Sequence, residues 1–137
     1  MRVVAAAVVV DGHLLTVSKQ AAPDVFYLPG GKPDGDEPEI DTLLRELTEE
    51  LQVQPVGAEP YLVVEAPAAL EAVPMRMSVY RCDLSAPPQR AAEIAAVHWC
   101  TGEEPAGGRL APAVRDAVVP RLREDGLLVG ATTSAVP

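Results

Sequence analysis

Apolar or β-branched positions open the chain in two blocks, residues 2–10 and 13–19, broken at Asp11-Gly12. Two residues that tolerate positive φ between two such runs predict a tight hairpin. Residues 20–25 read as a loop and 26–28 as a short strand ended by Pro29. Pro29-Gly30-Gly31 reads as a turn, because proline fixes φ and glycine can take either sign of it. The period then changes: Ile40, Leu43, Leu44, Leu47 and Leu51 recur at helical spacing. Asp36 is the expected N-cap, Glu39 three residues on completes a capping-box pattern, and Pro38 fits the first turn. Beyond that helix, residues 53–65, 75–83 and 94–101 read as strands, with loops at 67–74 and 86–92. Residues 102–109 form a connection, and 110–124 a helix interrupted or edged by Pro112 and Pro120. Neither a repeat nor a dividing linker appears, so the pattern predicts one mixed α/β domain over 1–130 and a frayed tail over 131–137.

Composition narrows the class. A chain of 137 residues with 48% hydrophobic and 23% charged residues has globular values and suffices for a single core. The longest apolar runs fall short of the ~18 residues of a membrane helix. The N-terminal block alternates into a hairpin rather than a signal-peptide cleavage site, so a cytoplasmic location and no membrane partner are expected. Cys82 and Cys100 lack a C-x-x-C neighbour and are expected as buried thiols. A net charge of −9 argues against a nucleic-acid polymer as partner. Between Gly31 and Val53 lie eight acids and two bases, so six of the nine excess negative charges fall in that one segment.

On a helix at about 100° per residue, with Glu46 at zero, Glu49 falls near −60° and Glu50 near +40°. The leucines and Ile40 occupy the adjoining arc, which places the three carboxylates at the border of the buried stripe. Arg45 stands four residues from both Asp41 and Glu49 and can pair with either. Like charges within a turn and a half oppose helix formation, and a hard cation such as Mg²⁺, which prefers carboxylate oxygen, would remove that repulsion. Just upstream, Leu28-Pro29-Gly30-Gly31-Lys32 puts glycines and a lysine before the helix, a combination suited to phosphate. It is not a Walker A loop, since Pro33 follows Lys32, and Pro38 and Glu39 rule out an EF-hand starting at Asp34.

Gly31, Glu37, Arg45, Glu46, Leu47, Glu49, Glu50 and Val53 match, at the right spacing, the signature G-x5-E-x7-R-E-U-x-E-E-x-G-U. The chain thus resembles the Nudix hydrolases, MutT-like ones in particular. The one departure is Gln52, where the family has glycine. The resemblance implies an α/β/α sandwich of the α+β kind, with a mixed sheet, a catalytic loop-helix-loop and a C-terminal helix. It implies Glu46, Glu49, Glu50 and the Gly31 carbonyl as ligands of Mg²⁺, with Mn²⁺ able to substitute. By the same resemblance Arg45 orients a catalytic glutamate, and Glu37 supports the site or binds metal. Gly30, Gly31, Lys32, Glu37 and Tyr27 are the expected substrate-binding residues. Gln52 replaces the glycine that would end the helix in a left-handed conformation; a side chain there costs about 1 kcal/mol, which leaves open how the helix ends.

The implied reaction is Mg²⁺-dependent cleavage of a diphosphate linkage in a nucleoside diphosphate-linked small molecule, such as a nucleoside triphosphate. ADP-ribose or another nucleotide sugar is the second reading, and a nucleotide-binding module that no longer cleaves is the third. The general base is open between Glu46, Glu49 and Glu50 on the helix and Glu93, which looks like a later loop acid of the family; Glu103 and Glu104 are weaker candidates. Either Phe26 or Tyr27 could stack on a base, whereas His13, His98 and Trp99 read chiefly as surface or packing residues. A homodimer is a further expectation from the resemblance.

Overall fold

The computed structural model describes residues 1–68 and 73–129; the tail expected at 131–137, and part of the loop expected at 67–74, lie outside them. The chain runs β1 (Arg2–Ala7), β2 (Val9–Val10), β3 (His13–Lys19), β4 (Ala22–Tyr27), β5 (Gly30–Gly31), α1 (Glu39–Leu51), β6 (Pro55–Pro67), β7 (Pro74–Leu84), β8 (Ile94–Cys100), β9 (Arg109–Leu110), a π-helical turn (Val114–Val118) and α2 (Val119–Glu124). One mixed sheet has the order β5-β1-β7-β6, with β1 and β7 parallel. The second follows β2-β3-β4-β9, and β8 pairs with β3.

The single opening strand expected at 2–10 is two strands in two sheets. Val8 marks the crossing: its carbonyl accepts the Leu15 amide, while the residues before it pair with β5 and β7. Asp11 and Gly12 both take positive φ, which closes the expected two-residue hairpin. Alternation on β1 divides the interior. Val4, Ala6 and Val8 face Leu43, Leu47 and Leu51 of α1, whereas Ala5 and Ala7 face the cluster of Val114, Val118 and Leu122. A strand covered on both faces is apolar throughout, which accounts for the run of valine and alanine. The three α1 leucines are fully buried, each worth about 1.5–3 kcal/mol.

Several boundaries differ from the sequence expectation. Among them, β6 runs Pro55–Pro67 and not 53–65, and Gly30–Gly31 of the glycine turn pairs as β5. β4 begins at Ala22, inside the expected loop; its pairing with β3 is irregular, which lets Pro23 sit in it without a ladder donor. α1 begins at Glu39 and not at Asp36. Pro38 is its N-cap and provides no side-chain cap, and a residue before proline is driven out of helical φ/ψ. The capping box is absent, because Glu39 instead accepts hydrogen bonds from Tyr80 (2.7 Å), Ser78 (3.0 Å) and Arg2 (3.1 Å). At the C-terminal end Arg109–Leu110 is a strand parallel to β4. The wide π turn then sits directly before Pro120, whose nitrogen cannot supply the α-helical bond. Val119 bonds back five residues to the Val114 carbonyl.

Candidate active site

The glycine turn and α1 are locked together by close approach. Gly30 has a positive φ, and a Cβ there would lie 2.1 Å from the Val4 carbonyl oxygen. A Cβ on Gly31 would lie 2.4 Å from the Glu46 carboxylate, so only glycine leaves Glu46 its place. The Gly30 amide donates to Glu50 Oε1 at 3.2 Å. Glu46 and Glu50 thereby reach one cleft of about 350 Å³, which also holds Lys19, Tyr27, Gly30, Gly31, Lys32 and Glu93.

Burial sets the electrostatics of this pair. Glu50 is only 4% exposed, and its carboxyl is pushed up to about 7, mainly by burial and further by the Glu46 charge. The carboxyl of Glu46 is also raised, again chiefly by burial, although Arg45 opposes the shift. Glu49 stands apart, with its side chain 56% exposed and 3.8 Å from Arg45 Nη1. Among the described residues no three Asp, Glu, His or Cys side chains lie close enough together to hold an ion. Even so, the donors of the cleft suit a hard cation: two carboxylates whose charge burial penalises, beside a loop with no room for another side chain.

Arg45 joins the loop to the helix. Its guanidinium donates to Glu37 through Nε (3.0 Å) and Nη2 (2.8 Å), to Glu46 Oε2 through Nη1 (2.9 Å), and to the Lys32 carbonyl (3.0 Å). Glu37 also accepts from Thr42 and from the Asp34 amide, and Arg45 foremost holds its carboxyl down to about 2. Of the two partners expected for Arg45, Glu49 lies 3.8 Å from Nη1, while the fork to Glu37 and Glu46, whose geometry suits guanidinium and carboxylate, takes the place of Asp41. Glu37 does not line the cleft; it braces the arginine that braces Glu46.

Glu93 does line the cleft. Its carboxylate pairs with Lys19 Nζ at 3.3 Å. Its loop is tied to the end of α1, since the Glu50 carbonyl accepts from Ala91 and the Leu51 carbonyl from Gln89. Glu104, the weaker candidate, accepts the Leu110 amide and lies outside the cleft, as does Glu103. Tyr27 contributes a ring beneath Lys19, with Nζ 5.7 Å from its centroid. Its hydroxyl is one of two buried side-chain polar atoms without a partner among the described residues; the other is Ser18 Oγ, outside the cleft. Burial first, then the charges of Glu50 and Glu93, raises the Tyr27 phenol, so it stays protonated. Phe26 instead packs in the core, edge-on to His98. Lys19 carries no sequence signal, being one polar residue at the end of an ordinary strand; only the pairing of β3 with β8 brings it to Glu93.

Gln52 ends α1 with φ 58° and ψ 35°, the left-handed conformation; its amide donates to the Thr48 carbonyl, and the Val53 amide donates to the Leu47 carbonyl. Cys82 and Cys100 are buried free thiols, as expected. No helix among the described residues is long and apolar enough to cross a membrane.

Comparison with known proteins agrees with this arrangement. The family model of the NUDIX domain matches residues 1–122. The MutT NUDIX hydrolase from Burkholderia pseudomallei is 29% identical over 83% of this chain and 92% of its own, with a TM-score of 0.71. The NUDIX domain of Shewanella oneidensis NrtR, crystallised with ADP ribose, is 24% identical over 91% of this chain and 87% of its own, with a TM-score of 0.69. A bifunctional NMN adenylyltransferase/ADP ribose pyrophosphatase from Francisella tularensis, complexed with AMP and a manganese ion, shares the fold at 22% identity. It covers 90% of this chain and 41% of its own, with a TM-score of 0.66. No curated protein matches the sequence.

Proposed function

The chain belongs to the NUDIX domain family and is a Nudix-type hydrolase, and from that premise we propose that it cleaves the diphosphate linkage of a nucleoside diphosphate-linked small molecule, such as a nucleoside triphosphate. The observation that carries this reading is the pair Glu46 and Glu50, desolvated together against Gly30-Gly31 in a cleft that also presents Lys19 and Lys32. Carboxylates buried side by side cost stability, and an arrangement kept despite that cost points to a cationic ligand.

In this reading Glu46, Glu50 and the Gly31 carbonyl would hold a divalent cation, Mg²⁺ or Mn²⁺, and Glu49, now exposed beside Arg45, would join them only by turning its side chain toward the cleft. When bound, such an ion offsets phosphate charge and lowers the pKa of water. The chain's own groups do the rest. Arg45 fixes the Glu46 carboxylate through a 2.9 Å bond, and the Gly30 amide fixes Glu50 Oε1. Lys32 receives the phosphates as a point charge beside the close-approaching glycine backbone. Glu93 is the proton acceptor, held at the cleft by Lys19. Tyr27 is the flat surface for the organic half of the substrate.

A phosphate-release screen over nucleotides and nucleotide sugars at alkaline pH, with Mg²⁺ or Mn²⁺, tests the proposal. Turnover is expected for at least one class, falling by orders of magnitude in Glu50→Gln while nucleotide binding persists. If the panel stays intact with either ion, the chain is a binding module. ADP-ribose belongs in the panel because a structural neighbour was crystallised with it.

A further inference from the structure

Two neighbouring aromatics on β4 have different surroundings. Phe26 packs in the core, edge-on to His98, and needs no polar group to do so. Tyr27, the next residue, lines the cleft together with Lys19, Lys32, Glu50 and Glu93. Its hydroxyl is buried, and nothing among the described residues pairs with it. The charges that reach the phenol are those of Glu50 and Glu93, so the hydroxyl end of the ring lies on the cleft side. Each of these carboxylates is engaged elsewhere. Glu50 Oε1 accepts from the Gly30 amide at 3.2 Å, and Glu93 pairs with Lys19 at 3.3 Å. Burial and the same two charges keep the phenol protonated, so it is a donor and not a base. A buried donor without an acceptor destabilises the free protein relative to phenylalanine at the same place. Packing accounts for the ring and leaves the oxygen without a use.

We propose that the Tyr27 hydroxyl is a substrate-binding donor, which gives its hydrogen bond to a phosphate oxygen of the ligand seated in the cleft. The acceptor is assigned to the phosphate part because the lysines of the cleft, Lys19 and Lys32, are where an anion is held. Lys19 Nζ stands 5.7 Å from the centroid of the same ring, which brings ammonium and phenol to one stretch of the cleft. The ring and its tip then have separate uses: the face packs against the organic half, and the tip holds the phosphate. The inference rests on the hydrolase reading above and adds one specific contact to it. A hydrogen bond to a charged acceptor corresponds to roughly 10–100-fold in affinity.

Tyr27→Phe deletes the oxygen and keeps the ring, and two results of opposite sign are expected from it. In EDTA without ligand the variant should melt a few degrees above the parent, because an unpaired buried donor is gone. With Mn²⁺, calorimetry should show it binding α,β-methylene-ADP about 10–100-fold more weakly, and α,β-methylene-UDP by the same factor. A merely structural role would lower melting and binding together. A melting temperature at or below the parent's, or an unfolded variant, overturns the inference, since the hydroxyl then has a partner in the free protein. Equal affinity in parent and variant also overturns it, as does a parent that binds neither analogue. A loss confined to one nucleoside puts the acceptor on the base and overturns it as well. Turnover separates this contact from the hydrolase reading. If the parent cleaves nucleotides, Tyr27→Phe should raise KM by a similar factor and leave kcat within about threefold. An unchanged KM sinks the contact and leaves the hydrolase standing. If the parent cleaves nothing, the hydrolase reading falls, and the melting and binding measurements still decide the hydroxyl.

Discussion

Glu50 is where burial and function collide most directly. In the metal-free protein its carboxyl, raised to about 7 by burial, favours the protonated form, so the folded chain binds a proton that the unfolded chain has already lost. Stability from this group is fully present below the ordinary carboxyl value of 4.5 and is lost as pH rises through about 7. The span corresponds to about 3 kcal/mol for a group this buried. Glu50→Gln removes the titration. In EDTA its melting temperature should exceed the parent's at pH 8, and the gap should close at pH 5; equal melting temperatures at pH 8 would refute the account. At Gln52 the conflict is with backbone conformation alone. A side chain held at φ 58° costs about 1 kcal/mol relative to glycine. Gln52→Gly should raise the denaturation midpoint accordingly and leave activity unchanged, since Gln52 lies outside the cleft.

At the scale of elements, the link between the glycine loop and α1 is an arginine fork rather than a cap. Arg45 reaches Glu37, Glu46 and the Lys32 carbonyl at once, which a lysine's single ammonium cannot do. Arg45→Lys should therefore lower kcat by about 10–100-fold, the usual effect of losing an outer-shell partner, while KM moves less. A variant as active as the parent would show that Glu46 needs no brace. The Glu37 half of the fork has its own pH signature. Its carboxyl is depressed, chiefly by Arg45, so its contribution is present above the ordinary carboxyl range and lost as pH falls toward 2. Glu37→Gln should be less stable than the parent at pH 7, and the gap should narrow as pH falls from the ordinary carboxyl range toward 2; a gap that is constant with pH in denaturant titrations followed by circular dichroism would refute the account. The helix start illustrates why this fork escaped a periodicity reading. Asp36 and Glu39 have the letters of a capping box, yet Pro38 forbids helix before itself, and strand residues Ser78 and Tyr80 claim Glu39. Local spacing contains no information about residues some forty positions away.

Across the whole molecule, what was legible depended on whether a signal was local. The strands, the α1 stripe and the spacing from Gly31 to Val53 are written in neighbouring residues, and the α+β fold they imply is present, with two sheets where one mixed sheet was expected. How α1 ends at Gln52 was left open by the sequence, and the structure places it left-handed. The place of Lys19 was not legible, because β3–β8 pairing brings it to Glu93 from a segment far away in sequence. The split of the first strand between two sheets at Val8 was equally hidden, since both halves are apolar for different partners. The cleft thus draws on both sheets, α1 and the turn before α2, so a ligand bound there should be felt as global stability. A cation that binds only the folded chain stabilises it by about 2.7 kcal/mol at a hundred times its dissociation constant. Because carboxylate ligands must be deprotonated, the gain should be larger where Glu50 is ionised. Adding Mn²⁺ should raise the melting temperature by several degrees at pH 8 and by clearly less at pH 5.5, and Glu50→Gln should blunt the rise at both. A shift that is the same at the two pH values would mean that the ion binds without Glu50, most simply on the exposed acids of α1 alone.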